Sequence, residues 1–293
     1  MKKLLTLLLT VATLALSVLG FTACSKNDGL KVIEVPLSSE QYGIAIKKGN
    51  TALKAKIDEV LSGLTGDGIE YGGKTVTFLS LYNAEKEADA NGTPISIGSV
   101  KTTSSNRATE LVVATNAEFA PFEYMVGDSF GGIDMQIAKI LADKLELTLV
   151  ISHMDFEAVL PAVDAGNADI GLAGLTISDE RLETVDFSAP YYDTTQYIAV
   201  QKSNKDFDNC KTSDDVVAVL KSYPNGTKAG AASGQTGYLY LTGNEDLEFE
   251  GFSNLSVTTY SSIALAVQDL ANGKVKLVCG DKDTLTAAVK AIG

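Results

Sequence analysis

The chain has 293 residues, and its 24 Lys and Arg against 37 Asp and Glu give a formal net charge of −13. This balance excludes the clustered basic surface that nucleic acid binding needs, and it gives the protein no electrostatic attraction to an anionic membrane. One histidine and three cysteines provide no zinc-type spacing, so we expect neither a metal centre nor a cofactor.

The first residues predict export. Two lysines precede an apolar run, residues 4–18, which is too short for a stable membrane span. Small residues directly before Cys24 resemble a bacterial lipoprotein cleavage site. We therefore predict a signal peptide at 1–23, lipid on Cys24 and a tether at 24–28. The alternative is ordinary secretion, with Cys24 as a spectator thiol.

Residues 30–64 predict two strands and a helix. Leu30 to Val35 alternates with branched residues and ends at Pro36, and Tyr42 to Ile46 is a second strand. A helix capped by Asn50 or Thr51 follows. Its apolar positions repeat with helical spacing and are Leu53, Ile57, Val60, Leu61 and Leu64.

Residues 66–110 change character, because Gly, Ser, Thr and Asn dominate and the one apolar patch lies at 76–81. This composition predicts a flexible linker with at most one local strand.

From residue 111 onwards, strands and helices alternate. The predicted strands are 111–114, 147–151, 169–172, 227–231 and 275–279, with helical patterns between them. Such alternation is typical of parallel β-α-β units, here in two α/β lobes. Whether Cys210 and Cys279 form a disulfide stays open, because sequence does not supply the geometry.

Four runs carry a resemblance to the bacterial extracellular solute-binding proteins of family 3, the polar amino-acid-binding lipoproteins of ABC importers. They are TNAEFAPFEY at 115–124, GLTISDER at 174–181, VDFSAPYY at 185–192 and VKLVCGD at 275–281. The order is inverted, however, because residues 30–64 resemble the end of such a protein and residues 111–200 its beginning. The resemblance implies an α/β, two-lobed, periplasmic-binding-protein-like (type II) fold with a ligand cleft between the lobes, circularly permuted.

The implied organisation divides each lobe between two stretches of chain. Lobe one takes 42–65 and 111–190, and lobe two takes 196–293 and 29–37. The hinges lie near 38–42 and 191–195. The linker 66–110 would join the usual family termini. Residues 29–64 complete either the same chain or, in a swapped dimer, a neighbour.

The resemblance also implies how an amino acid is held. Arg181 would bind the ligand carboxylate with two parallel donors, since guanidinium matches that geometry and stays charged. Thr176 would add its hydroxyl and N–H, and Gly174, beside Leu175, would offer its carbonyl to the ammonium. The competing interpretation of Arg181 is a surface arginine paired with Asp179 or Glu180.

Asp281 would neutralise the ligand ammonium from lobe two, unless it is a solvated turn residue. Gln235 and Thr236 lie in a glycine-containing loop that would close over the carboxylate. Asn116, Phe119 and Phe156 would shape the side-chain end, although the two aromatics could instead be core residues. Because these residues leave no spare carboxylate, we expect a neutral, polar or small ligand side chain.

These residues predict a binding protein and not an enzyme. It would lie outside the cytoplasm, anchored to the cell membrane through lipid, and deliver an amino acid to the membrane-spanning subunits of an ABC importer. A ligand-sensing lipoprotein for a membrane receptor and a dehydratase with the same fold are the alternatives. A dehydratase needs a placed general acid or base, for which only His153 and Glu118 are candidates.

Overall fold

The structure is a computed structural model that describes residues 29–292. The predicted signal peptide at 1–23, lipidated Cys24 and tether at 24–28 lie outside the described residues. Within residues 29–292, no helix combines the length and the apolar character that a membrane crossing requires.

The front segment, residues 29–91, forms seven elements in the described part of the chain. They are β1 (Leu30–Ile33), β2 (Glu40–Tyr42), β3 (Ala45–Lys47), α1 (Thr51–Thr65), β4 (Ile69–Tyr71), β5 (Lys74–Val76) and α2 (Phe78–Asn91). Helix α1 begins where the Asn50 side chain accepts a hydrogen bond from the N–H of Leu53. Its buried residues are Ile57, Leu61 and Leu64, three of the five predicted from the helical spacing.

The middle of the chain forms one α/β set. Its elements are β6 (Glu110–Thr115), β7 (Glu118–Phe119), β8 (Glu123–Val126), β9 (Ser129–Gly131), α3 (Ile133–Lys144), β10 (Thr148–His153), α4 (Phe156–Asp164), β11 (Ile170–Gly171), α5 (Asp179–Thr184) and β12 (Val185–Phe187). A second set follows: β13 (Tyr192–Thr194), β14 (Gln196–Gln201), α6 (Ser213–Ser222), β15 (Thr227–Ala232), α7 (Thr236–Thr242), β16 (Leu255–Tyr260), α8 (Ile263–Ala271), β17 (Leu277–Asp281) and α9 (Lys282–Ile292).

Two five-stranded sheets organise the described residues. The lobe one sheet has the order β10-β6-β11-β3-β12, in which β6 runs parallel to both of its neighbours and β3 runs antiparallel to both of its own. The lobe two sheet has the order β1-β14-β17-β15-β16, with β15 parallel to β17 and β16. The central strands β6 and β17 are buried along their whole length, as strands covered by helices on both faces are.

The front segment contributes to both lobes. Strand β1 pairs with β14 in the lobe two sheet, with Leu30 opposite Gln201. Strand β3 pairs with β11 and β12 in the lobe one sheet. Between them, β2 pairs with β13 in a separate two-stranded sheet, so the two crossings between the lobes lie side by side. The polar groups of these crossings are therefore held where the lobes meet.

The expectation of a flexible linker with at most one strand is wrong for residues 66–91. Strands β4 and β5 form a hairpin, and α2 is a helix of 14 residues. Gly72 and Gly73 both have positive φ and form the two-residue hairpin turn, a Gly-Gly signal hidden within a glycine-rich composition. Helix α2 begins at a capping box made by Thr77 and Ser80.

Helix α2 packs on lobe one through few apolar side chains and one buried acid. Leu81 and Ala88 are buried, and Glu85 accepts hydrogen bonds from Tyr124 and Gln136. An acid on the buried face weakens the apolar periodicity that indicates a helix in a sequence.

Candidate functional site

The two lobes touch across the line where the cleft is predicted. Thr176 Oγ1 from lobe one lies 3.0 Å from Thr236 Oγ1 of lobe two. Arg181 Nη2 donates to the carbonyl of Gly234 at 3.3 Å. The structure therefore brings Thr176, Arg181 and Thr236 together, in an arrangement where the lobes are closed.

Arg181 is held in a defined orientation. It lies in α5, whose first turn is capped by the Ser178 side chain. Its Nη1 donates to the Thr176 carbonyl at 2.8 Å, and its guanidinium lies 5.6 Å from the centre of the Phe156 ring. Burial lowers the pKa of the guanidinium, against the charges of nearby carboxylates. Among residues 29–292, no ion pair joins Arg181 to Asp179 or Glu180.

Asp281 ends β17 and is buried between the lobes. It accepts a hydrogen bond from Tyr42 Oη at 2.6 Å and a longer one from Thr194 Oγ1 at 3.4 Å. Burial first, and then the charge of Glu40, raise the pKa of Asp281 to about 7. A group that carries a positive charge would restore its ionised form.

Glu40 is a second buried carboxylate at this point, only 5% exposed. It accepts hydrogen bonds from the Ser38 hydroxyl, from Thr176 Oγ1 at 3.1 Å and from Gln196 Nε2 at 3.2 Å. Within the described part of the chain, neither Glu40 nor Asp281 forms an ion pair with a lysine or arginine. Two carboxylates therefore share a region with one guanidinium, that of Arg181.

Phe119 lies near Tyr42, and Asn116 directly follows the end of β6, three residues earlier in the chain. Asn116 is buried and donates to the Met154 carbonyl at 3.0 Å, while its side-chain oxygen has no partner among the described residues. Phe119 is also buried, and its ring centre lies 6.4 Å from that of Tyr42. An unpaired buried amide oxygen is costly, so a donor is expected to approach it.

Gly174 is fixed by a close approach to Phe119. Its φ of +53° lies in the left-handed region, and a Cβ here would meet Phe119 Cε1 at 2.6 Å. Its N–H donates to Asp134 Oδ2 at 2.9 Å. The adjacent Leu175 side chain packs in the lobe one core, and its carbonyl accepts from Gly43 N–H at 3.0 Å, so that side chain faces away from the interlobe region.

Gln235 and Thr236 begin α7, but only Thr236 makes a side-chain contact across the lobes. Gln235 is buried, and its side chain makes no capping hydrogen bond. The first turn of α7 does present backbone N–H groups beside Arg181, which favours an anion there.

The sequence analysis missed four polar residues of this site. Glu40 and Tyr42 come from the first crossing between the lobes. Thr194 comes from the second crossing, and Gln196 begins β14 directly after it. They fall in or next to the predicted hinges, near 38–42 and 191–195. That position is the signal that could have found them, because both crossings pass the base of the cleft.

A second buried acidic pair lies behind the site. Asp134 accepts hydrogen bonds from Tyr191 Oη at 2.9 Å and from Gly174 N–H. Both carboxylate oxygens of Glu123 lack a donor among the described residues. Burial, followed by the charge of Asp134, raises the pKa of Glu123 well above its usual range, and burial raises that of Asp134 to about 6. Both shifts favour the protonated forms of these two carboxyls.

The remaining expectations concern His153 and Glu118, metal binding, and a disulfide. His153 accepts a hydrogen bond from Ala117 N–H at 3.1 Å through Nδ1 and is exposed, and Glu118 is exposed. Within the described residues, no group of His, Cys, Asp and Glu is placed to hold a metal ion. Cys210 and Cys279 are free thiols in that same part of the chain, so they form no disulfide with each other.

Residues 111–292 match the family described as bacterial extracellular solute-binding proteins, family 3. A probable histidine-binding protein of Neisseria gonorrhoeae is 31% identical over 181 residues, which is 61% of each chain. An arginine-binding extracellular protein of Bacillus subtilis is 34% identical over 114 residues, 39% of this chain and 44% of that protein. The chain thus covers less than two thirds of these relatives.

Solved structures with a similar fold are also amino-acid-binding proteins. An ancestral arginine-binding protein bound to arginine is 32% identical, with a TM-score of 0.53 over 62% of this chain and 74% of that one. A Streptococcus pneumoniae substrate-binding protein of an amino acid ABC transporter, bound to L-arginine, is 31% identical, with a TM-score of 0.51 over 61% and 70%. The described architecture is accordingly the two-lobed type II fold.

Proposed function

Because this chain belongs to the bacterial extracellular solute-binding proteins of family 3, we propose that it binds one free amino acid between its lobes and delivers it to an ABC importer. In this proposal it works outside the cytoplasm and is held at the cell membrane by lipid on Cys24. The observation that carries the proposal is the placement of Arg181 from one lobe and Asp281 from the other in one buried interlobe region, beside hydroxyl groups of both.

The carboxylate of the ligand would meet Arg181. Its guanidinium currently donates to two backbone carbonyls, one from each lobe, at 2.8 and 3.3 Å. A carboxylate is a stronger acceptor than a carbonyl and would replace them with charge-assisted hydrogen bonds. Thr176, Thr236 and the first turn of α7 lie beside it and would complete the anion site.

The ammonium of the ligand would meet Asp281. This carboxylate is buried among hydroxyl groups and forms no ion pair with a lysine or arginine of the described residues. An ammonium would supply the missing charge, and Gly174 would accept one of its protons through the carbonyl. Closure of the lobes removes water from both pairs and so strengthens them.

We propose that the ligand side chain is a cation, which replaces the expectation of a neutral one. That expectation depended on the absence of a spare carboxylate, and it did not include buried Glu40, which accepts a hydrogen bond from Thr176. A neutral amino acid adds no net charge, so Arg181 would face both Glu40 and Asp281 with one negative charge left over. A cationic side chain balances it.

The related proteins support this choice. Their names specify histidine or arginine as the ligand, and two similar structures contain arginine. Asn116 and Phe119, both buried beside the cleft, would then take the stem of a long side chain. The unpaired side-chain oxygen of Asn116 would then accept a hydrogen bond from the cationic end of the ligand side chain.

Substitution of Arg181 tests the carboxylate site. Arg181→Lys keeps the charge but loses the paired donors, so we expect it to weaken binding by about 2–4 kcal/mol. Arg107→Lys is the matched control, because Arg107 lies on the surface in contact with Asp169. Calorimetry should show the loss for Arg181→Lys alone. Equal affinity of the two variants would place the carboxylate elsewhere.

The two other candidate functions gain less support. A dehydratase needs a placed general acid or base, and the two candidates, His153 and Glu118, are exposed. A sensing lipoprotein would use the same ligand site and differ only in its membrane partner. Transport by vesicles that carry the importer, with and without this protein, separates delivery from sensing.

We also propose that the chain is a circular permutant of its family. Support comes from β1, which joins the lobe two sheet, and from the family match, which begins only at residue 111. In this proposal lobe one comprises 42–65 and 111–190, lobe two comprises 196–293 and 29–37, and residues 66–110 join the usual family termini. Within the described residues β1 and β3 make these pairings inside one chain, and a swapped dimer is the alternative.

A further inference from the structure

Helix α2 reaches from lobe one to the last helix of lobe two. Tyr82 Oη donates to Asp283 Oδ1 of α9 at 2.8 Å. About two turns further along α9, Lys290 Nζ forms an ion pair with Asp89 Oδ2 of α2 at 2.6 Å. We call these two contacts, Tyr82–Asp283 and Asp89–Lys290, the clasp. The residues of α2 in these contacts lie outside the stretch that matches the family, and the residues of α9 lie inside it.

Each half of the clasp is fixed to a different lobe. Helix α2 is tied to lobe one by buried Leu81 and by the hydrogen bonds of Glu85 to Tyr124 and Gln136. Helix α9 is tied to lobe two, because Leu285 and Ala288 are buried in its core. Any rotation of the lobes about the crossings must therefore stretch or break the clasp.

Asp283 also connects the clasp to the hinge. It accepts a second hydrogen bond from Tyr192 Oη, and Tyr192 lies in β13, one of the two crossing strands. The Tyr192 ring stacks on that of Tyr82 at 5.8 Å and lies 5.4 Å from that of Phe78. One carboxylate thus holds the hinge strand and α2 together. Asp89–Lys290 lies further from the hinge and would separate more when the lobes rotate.

The faces of α2 and α9 meet through polar tips and not through a packed core. A cavity of about 270 Å³ remains beside them, lined by Ala88 and Asp89 of α2, Pro121 and Tyr124 of lobe one and Ala287 of α9. Little apolar surface would be exposed if the helices separated. Separating the two helices therefore costs little free energy, which suits a contact between two lobes that move.

We propose that the clasp stabilises the closed arrangement of the lobes and so slows release of the ligand. Its residues touch neither Arg181 nor Asp281, so they would act on affinity through closure alone. A ligand held only in the closed form dissociates more slowly when closure is more stable. The predicted effect on ligand dissociation rests on the proposed binding function. The predicted effect on the distance between the lobes rests on the geometry of α2 and α9.

The expected effects follow from the chemistry of each contact. A hydrogen bond to a charged group is worth more than a neutral one, so Tyr82→Phe should raise the dissociation rate by about three- to tenfold. The exposed ion pair is weaker, and Asp89→Lys or Lys290→Asp alone should raise it by about two- to threefold. The double variant Asp89→Lys with Lys290→Asp restores opposite charges and should return to the parent rate.

Matched controls remove the same groups within one lobe. Tyr71→Phe breaks a tyrosine–aspartate hydrogen bond between β4 and Asp143 in α3 of lobe one, with no part in lobe two. Glu250→Lys reverses one charge of an exposed pair with Lys221, entirely inside lobe two. Both should leave the dissociation rate of the ligand unchanged, since neither contact spans the lobes.

Stopped-flow dissociation of arginine and interlobe distances together decide the proposal. Spin labels at Asp128→Cys in lobe one and Lys205→Cys in lobe two, in a Cys210→Ser background, report closure without a ligand. Clasp variants should shift the distances towards the open form, and the controls should not. Unchanged distances and rates in Tyr82→Phe, relative to Tyr71→Phe, overturn the clasp. If no amino acid binds, the binding function fails, and the distances alone judge the clasp.

Discussion

Asp281 and Glu40 are two buried carboxylates that accept hydrogen bonds from hydroxyl and amide groups, and Arg181 is the one cation near both within the described residues. Two such groups cannot both ionise cheaply, and the pKa of Asp281 is raised first by burial and then by the charge of Glu40. The site is therefore ready to exchange a proton for an ammonium or a cationic side chain. Three predictions follow from these residues.

Asp281→Asn should weaken the binding of free amino acids by about 2–4 kcal/mol, because the ammonium keeps a hydrogen-bond partner but loses its counter-charge. Calorimetry compares arginine with its des-amino analogue in the parent and the variant. The variant should lose most of the preference for the amino acid. Asp269→Asn, a surface substitution, is the control. A variant that keeps the full preference shows that Asp281 does not meet the ammonium.

Glu40→Gln should reduce the preference for arginine over glutamine by about tenfold, because it removes the carboxylate that balances a side-chain cation. The amide keeps the size of the side chain and can still accept from Thr176. Competition binding measures the ratio of the two affinities in the parent and the variant. An unchanged ratio would mean that Glu40 orders the hinge without selecting the side chain.

Binding should release a proton below about pH 7, because the ligand favours ionised Asp281 over the protonated form. Affinity should therefore fall by about tenfold as the pH drops from about 8 to about 5.5. The sign for stability is opposite. The folded ligand-free protein binds protons more tightly than the unfolded chain between the usual value of 3.8 and about 7, so its free energy of unfolding falls as the pH rises through that window.

Calorimetry in two buffers of different ionisation enthalpy measures the released proton directly. A heat of binding that is independent of the buffer at about pH 6, where Asp281 should still hold its proton, would contradict the predicted exchange. Asp134, whose pKa burial raises to about 6, contributes with the same sign to the stability profile. It touches Gly174 and Tyr191 and not the cations, so it should add little to the pH dependence of binding.

At the scale of elements, the strand that ends at Gly171 and the turn after it set the geometry of the site. Gly174 holds a left-handed φ and leaves room only for the Phe119 ring. Gly174→Ala should lower the free energy of unfolding by about 1–3 kcal/mol. The left-handed backbone is strained for alanine, and the added Cβ clashes with the Phe119 ring. Denaturant titration measures this loss. Gly127→Ala, where a Cβ meets nothing within 4 Å, separates the backbone strain from the clash. Equal losses in the two variants would dismiss the ring contact.

The elements predicted from the sequence are those with strong local signals. Helix α1 was predicted because Ile57, Leu61 and Leu64 repeat at helical spacing, and they are buried as a stripe. Helix α2 was missed because its buried face includes Glu85, whose partners Tyr124 and Gln136 come from distant segments. A buried acid looks like a surface residue until its partners are known.

The site divides in the same way. Arg181, Thr176 and Thr236 could be predicted from motifs, and the structure brings them together. Glu40 could not, because its role depends on β2 pairing with β13, and a three-residue strand carries no periodicity. The expectation of a neutral ligand side chain did not include Glu40, and a second buried carboxylate changes the charge balance on which that expectation depended.

At the scale of the whole molecule, the front segment supplies one strand to each five-stranded sheet. The first and last described elements, β1 and α9, pack against each other. Leu30 is buried in the same apolar cluster that Ile292 packs against. A short flexible linker from residue 292 to residue 29, with new termini between Thr102 and Thr103, would give the order of segments that the family resemblance implies. We expect this variant to fold and to bind its ligand with unchanged affinity, since no lobe contact is lost.

Light scattering and calorimetry check that expectation. The parent and the reordered variant should both be monomers with the same affinity, because each lobe is completed within one chain. A reordered chain that does not fold, while the parent does, would contradict the permutation. A parent that is a dimer and a reordered variant that is a monomer would point to exchange of residues 29–64 between chains.

Calorimetry of the parent protein with the twenty common amino acids tests the central claim most directly. We expect arginine, lysine or histidine to bind with one-to-one stoichiometry, at least about tenfold more tightly than glutamine, serine or methionine. We also expect that Arg181→Lys abolishes most of this heat while Arg107→Lys does not. Tighter binding of a neutral amino acid would contradict the role given to Glu40, and the absence of any bound amino acid would contradict the function itself.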